Sequence, residues 1–92
     1  MKSDRLRAMP RIDPLGNPQH TYLQVADSIA TRIDVGEFTF RLPSERELMR
    51  EYGVAYMTVR HAMEVLRVCG LIITRQGRGT FVAAAILAAS AH

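Results

Sequence analysis

Ninety-two residues, 48% of them hydrophobic and 23% charged, describe one small folded domain and not a disordered chain. The longest uncharged apolar run, residues 81–89, is far short of the roughly 20 needed to cross a bilayer. The first thirty residues lack the apolar segment of a signal peptide, and the single cysteine, Cys69, cannot close an internal disulfide. The net charge of +3, supplied almost wholly by arginine, suits contact with phosphates and guanine edges, although on charge alone an ordinary solvated surface is the better reading.

Residues 1–19 hold three prolines, one glycine and scattered charge without an apolar period, and read as an N-terminal arm without regular structure. Thr21 and Gln24 have capping-box spacing, and Tyr22, Val25, Ala26, Ile29 and Ile33 follow at helical intervals up to Gly36. A first helix is therefore expected over about 22–35, with Asp27, Arg32 and Asp34 outward. An extended linker follows over 37–43, because Pro43 drives Leu42 out of the helical region. Ser44 and Glu47 form a second capping box, which opens a short helix over about 45–52 that stops at Gly53.

A third helix must begin within two or three residues of Gly53. Val54, Val59, Ala62, Met63 and Leu66 make its apolar stripe, Tyr56, Arg60, Glu64 and Arg67 its opposite face, and Gly70 its stop. Arg60 and Glu64 stand four apart and can pair. His61 reads as a surface residue and Cys69 as half-buried packing near the helix end. The period then changes: 71–75 and 80–82 are β-rich and flank Gln76-Gly77-Arg78-Gly79, which predicts a hairpin. Residues 84–92 form an alanine-rich tail that extends a helix or frays. The order of helix, helix, tight turn, helix and hairpin is that of a winged helix-turn-helix. The fold class is mainly α with a small β-hairpin: three helices plus a wing over 20–83, the helix-turn-helix at about 44–69 and the wing at about 71–83.

Several motifs lie along this frame. They are Leu42-Pro43-Ser44-Glu45-Arg46-Glu47-Leu48, Gly53-Val54, Thr58-Val59-Arg60, Gly70-Leu71-Ile72 and Gly77-Arg78-Gly79-Thr80-Phe81-Val82. In this combination and spacing the chain resembles the DNA-binding domain of GntR-family transcriptional regulators over about residues 20–83. The resemblance implies a cytoplasmic bacterial regulator, most often a repressor. Such a domain works as a homodimer on an inverted-repeat operator in double-stranded DNA, and an effector domain normally follows it. Three positions depart from the family pattern. Phe40-Arg41 replaces the usual Pro-Gly, and the loop is about two residues shorter. Ala55 replaces the serine that caps the recognition helix, and Tyr56 replaces an arginine.

By matching positions, the resemblance carries the DNA contacts to Arg46 on the second helix and to Arg60 on the third. It also carries them to Tyr56, Met57 and Thr58 at the third helix's exposed start, which enters the major groove, and to Gln76, Gly77 and Arg78 at the wing tip, which reaches the minor groove. Ser44 and the start of the second helix offer amides to a phosphate. Each residue also has a plainer role: Arg46 can pair with Glu45 or Glu47, Arg60 with Glu64, and Met57 can fill the core. His20, His61, His92 and Cys69 lack metal-ligand spacing, and no nucleophile or phosphate-loop constellation is visible. No catalytic residue, metal, cofactor, membrane contact or effector pocket is expected in this chain. A winged-helix module that binds protein, without strong DNA specificity, is the competing reading.

Overall fold

The computed structural model describes residues 18–90. In chain order they form α1 (Pro18–Asp34), α2 (Glu45–Tyr52), α3 (Tyr56–Val68), the antiparallel strands β1 (Ile72–Arg75) and β2 (Gly79–Val82), and α4 (Ala83–Ser90). The order of helices followed by a hairpin is that of the expected fold class, with a fourth helix added after the hairpin. No described helix is long and apolar enough to cross a membrane. The arm expected over 1–19 lies outside the described residues except for its end, where α1 has already begun.

That earlier start corrects the first helix. Proline is well suited to a first helical position, where its missing N–H would have no partner in any case. Thr21 and Gln24 are consequently inside α1 and do not form its cap. The second capping box is present as expected. The Glu47 N–H donates to Ser44 Oγ at 3.1 Å, and the Ser44 N–H donates to Glu47 Oε1 at 2.8 Å. Ala55, at the equivalent position before α3, makes no side-chain cap.

The core lies between the three main helices and the hairpin. Val25 and Ile29 of α1, Leu48 of α2, Val59, Met63 and Leu66 of α3 and Ile72 of β1 are all but completely buried, each worth roughly 1.5–3 kcal/mol relative to exposure. Ala26, Leu42, Ala62 and Val82 complete this core. Cys69 is exposed, contrary to the expectation of half-burial. The apolar stripe of α3 has its last buried residue at Leu66, and Cys69 is already the helix C-cap, so the helical period no longer turns it inward.

The linker before α2 has more structure than a simple extended segment. Arg41 pairs with Phe81 in an isolated antiparallel bridge, Leu42 donates its N–H to the Thr80 carbonyl at 2.9 Å, and Val82 donates to the Phe40 carbonyl at 2.7 Å. Residues 40–42 therefore lie along the outer edge of β2, joined to it by a single bridge and two flanking hydrogen bonds. On the other side, Arg67 of α3 holds β1 by donating from Nε to Thr74 Oγ1 at 3.1 Å. The described part of the alanine-rich tail continues the helix α4, which begins at the buried Ala83 and packs on both strands.

Arg32, expected to face outward, is instead half-buried at 17% exposure, within a polar cluster that joins α1 to α2. It donates to Tyr52 Oη at 3.0 Å and pairs with Glu37 at 2.6 Å and Glu51 at 2.8 Å. Its guanidinium carbon stands 4.4 Å from the centre of the Phe38 ring. The Tyr52 hydroxyl is also hydrogen-bonded to the buried Ser28 at 2.7 Å. Burial works against the Arg32 charge, but the bonds to Glu37 and Tyr52, with the charge of Glu51, outweigh it and raise its pKa. In return the Arg32 bond lowers the pKa of Glu37.

Candidate nucleic-acid interface

An open cleft of about 800 Å³ separates the start of α2 from the wing. Ser44, Arg46, Tyr56, Gln76, Gly77 and Arg78 all line it, so six of the nine candidate residues meet on one concave surface. Arg41 and Arg75 line it too, giving four arginines against the two carboxylates of Glu45 and Glu47. Both carboxylates are engaged locally: Glu47 in the capping box, and Glu45 as acceptor of the Tyr56 hydroxyl at 3.0 Å. The Ser44 backbone N–H, and then its hydroxyl, hold the Glu47 carboxyl below its ordinary pKa. It therefore remains an acceptor for the cap near neutral pH.

Met57, Thr58 and Arg60 lie outside the cleft lining, further along the first turns of α3. Met57 is 54% exposed, which removes it from the core, and Arg60 is exposed while Thr58 is half-buried. Arg60 does not pair with Glu64. Glu64 is bonded to Arg67 at 2.6 Å, and the Arg60 guanidinium carbon lies 6.0 Å from the centre of the Tyr56 ring. The Arg46 guanidinium carbon lies 5.8 Å from the same ring, so Tyr56 stands within cation–π range of both arginines. The substitution that removes an arginine from this position thus supplies an aromatic support for the two that remain.

The expected free amides at Ser44 are only partly available, because the Ser44 and Glu47 N–H groups are spent on the capping box. A phosphate here would also meet the Glu47 charge. The dipole argument that recommends a helix start for an anion therefore applies equally to a carboxylate three residues into the helix. At the wing tip, Arg78 donates its N–H to the Arg75 carbonyl at 2.9 Å and closes a turn around Gly77, whose φ of 77° suits glycine. Gln76, Gly77 and Arg78 are exposed there.

Arg41 is a cleft residue that sequence reasoning does not single out as a contact. Its one signal is a cation immediately before Leu42-Pro43, and the linker's extended reading gives no reason to bring that cation to the wing. Among the described residues, His, Cys, Asp and Glu form no group of three or more placed to hold a metal ion.

A family model described as bacterial regulatory proteins of the gntR family matches residues 21–82, two thirds of the chain. The chain belongs to the GntR family. It is 41% identical over 68 residues to the HTH-type transcriptional repressor NagR of Bacillus subtilis, a match covering 72% of this chain and 28% of that protein. It is also 41% identical over 68 residues to the histidine utilization repressor of Pseudomonas putida, covering 72% and 27%. This GntR-family chain thus spans less than a third of the length of these curated relatives. Among solved structures, AraR(DBD) in complex with operator ORR3 superposes with a TM-score of 0.65 at 37% identity, over 77% of this chain and 90% of that one. YtrA from Sulfolobus acidocaldarius, a GntR-family transcription factor, gives a TM-score of 0.69 at 30% identity, over 91% and 99%.

Proposed function

We propose that residues 20–83 are the DNA-reading domain of a transcriptional repressor, acting in the cytoplasm as a homodimer on an inverted-repeat operator. The start of α3 enters the major groove, where Tyr56, Met57, Thr58 and Arg60 meet base edges and phosphates, and Arg78 at the wing tip reaches the minor groove. Arg46 and Ser44 hold the backbone between them. The observation behind this reading is the cleft in which four arginines from the linker, α2 and the wing converge beside the exposed start of α3, while its two acids are occupied locally. Relatives named as repressors and a neighbour bound to operator DNA support it.

The test is a fluorescence-anisotropy titration of the chain with random duplex DNA, followed by selection from a randomised duplex library. If about four phosphates are neutralised per domain, affinity should fall about 10²-fold between about 50 and 200 mM salt. Arg46→Ala and Arg60→Ala should each weaken binding to the selected duplex several-fold or more. No binding of wild-type protein at low salt would favour the protein-binding module. Unchanged binding by both variants would refute the contact assignment.

A further inference from the structure

Arg41 lies outside both helices of the helix-turn-helix and outside the hairpin, yet it touches the wing at three points. Its backbone is fixed alongside β2 by the Arg41–Phe81 bridge and the flanking hydrogen bonds. Its Nη2 donates to the Arg78 carbonyl at 2.6 Å, a charge-assisted bond to the residue at the wing tip. Its guanidinium carbon stands 5.7 Å from the centre of the Phe81 ring, and the group lies over Gly79. A Cβ at position 79 would come within 2.8 Å of Nη2 and 3.0 Å of Nε, so the guanidinium occupies space that only glycine leaves open. No carboxylate among the described residues forms an ion pair with Arg41. Among the described residues no acid neutralises its charge, and most of its five donors are not used by the Arg78 carbonyl.

We propose that Arg41 is a positioning residue for DNA recognition: it holds the wing tip at a set angle to α3 and adds its own charge to the row of cations lining the cleft. This rests on the DNA-reading function proposed above. The hairpin has only four residues per strand, too few to fix its own attitude, and a two-stranded hairpin is marginal without support. Arg67 grips β1 from α3, and Arg41 grips the opposite edge. The wing is thereby held between the helix that reads DNA and the segment that leads into α2. A lysine at 41 would keep the charge but could not reproduce the planar fork that meets the carbonyl, the glycine and the ring together.

The experiment compares wild type, Arg41→Ala, Arg41→Lys, Arg78→Ala and the Arg41→Ala/Arg78→Ala double variant, each first shown to melt cooperatively. Anisotropy titrations on the selected duplex are run at two salt concentrations. Arg41→Ala should weaken binding about tenfold, and the double variant should lose clearly less than the product of the two single losses, because both act through one wing. Arg41→Lys should keep the wild-type salt slope and recover only part of the affinity. Wild-type affinity in Arg41→Ala, or a double loss equal to the product, would overturn the proposal while leaving DNA reading intact. Backbone ¹⁵N relaxation on free protein supplies an arm independent of DNA: amides of residues 76–79 should become more mobile in Arg41→Ala. Unchanged relaxation overturns the wing-holding role. Wild-type protein that binds no duplex overturns the functional reading, and with it the recognition role of Arg41, whatever the relaxation shows.

Discussion

Replacing Ala55 by serine should stabilise the fold, and the structure provides its own reference for how much. Ala55 has φ −66° and ψ 151°, almost the same backbone as Ser44 at φ −66° and ψ 161°. Ser44 caps α2 with two reciprocal bonds, to and from Glu47, whereas α3 begins with no side-chain cap. The third residue of α3 is Thr58, which cannot reach back as Glu47 does and whose N–H already donates to the Ala55 carbonyl at 3.0 Å, so Ala55→Ser should add one bond, shared with that carbonyl, and not two. An N-cap serine in place of alanine is worth typically about 1 kcal/mol. In a domain of this size that corresponds to a rise in Tm of about 4–8 °C. Ser44→Ala should produce a fall of similar size, since it removes the hydroxyl that accepts from the Glu47 N–H while the backbone N–H that donates to Glu47 Oε1 remains. Thermal and urea unfolding followed by circular dichroism measure both, with the urea slope unchanged if only stability is altered. A midpoint for Ala55→Ser equal to or below that of wild type, with Ser44→Ala clearly destabilised, would refute the capping argument for α3. It would imply that its first turn is already satisfied by other means.

The polar cluster between α1 and α2 makes a second prediction. Tyr52→Phe should cost about 1–3 kcal/mol because it leaves buried Ser28 without its partner, and adding Ser28→Ala should restore part of that loss, as urea midpoints would reveal. At the interface, Tyr56→Ala should weaken binding to the selected duplex by at most about 5- to 30-fold, since two exposed cation–π contacts are worth about 0.5–1 kcal/mol each; Tyr56→Phe, which keeps the ring, should lose less in the same titration. Stability should also fall on the acid side. Glu37 and Glu47 have lowered pKa values in the folded state, so their contribution is complete above the ordinary carboxylate pKa and is lost as pH falls through the lowered values. Melts from pH 6 down to pH 3 should show Tm dropping somewhat less steeply in Ser44→Ala than in wild type, because the hydroxyl's share in lowering the Glu47 pKa is lost while the larger share, from the Ser44 backbone N–H, remains.

The helices and wing were legible because their signals are local. Ser44 and Glu47 are three residues apart and satisfy each other within one turn. Leu48, Val59, Ala62, Met63 and Leu66 recur at the helical period and are all buried. The change of period after Gly70 announces β1 and β2 at nearly their observed bounds. Cues that depended on what lay beyond one turn misled. The capping-box spacing at Thr21 fell inside α1, whose start lies three residues earlier. The four-residue spacing of Arg60 and Glu64 permitted a pair that does not form, because Arg67 takes Glu64 and Tyr56 lies beside Arg60.

By itself, then, the sequence determined the element order, the caps and stops of α2, the buried stripe of α3 and the set of candidate contacts, through rules that act over three or four residues. Only the tertiary structure decided which charges meet. Arg32 is drawn from the surface by Tyr52, twenty positions away, and Arg41 reaches Arg78 across thirty-seven. Those encounters depend on how α1 crosses α2 and how residues 40–42 lie along β2. No local period or propensity encodes a guanidinium's partner, because its long stem can reach any group that the packing of distant segments brings within its span.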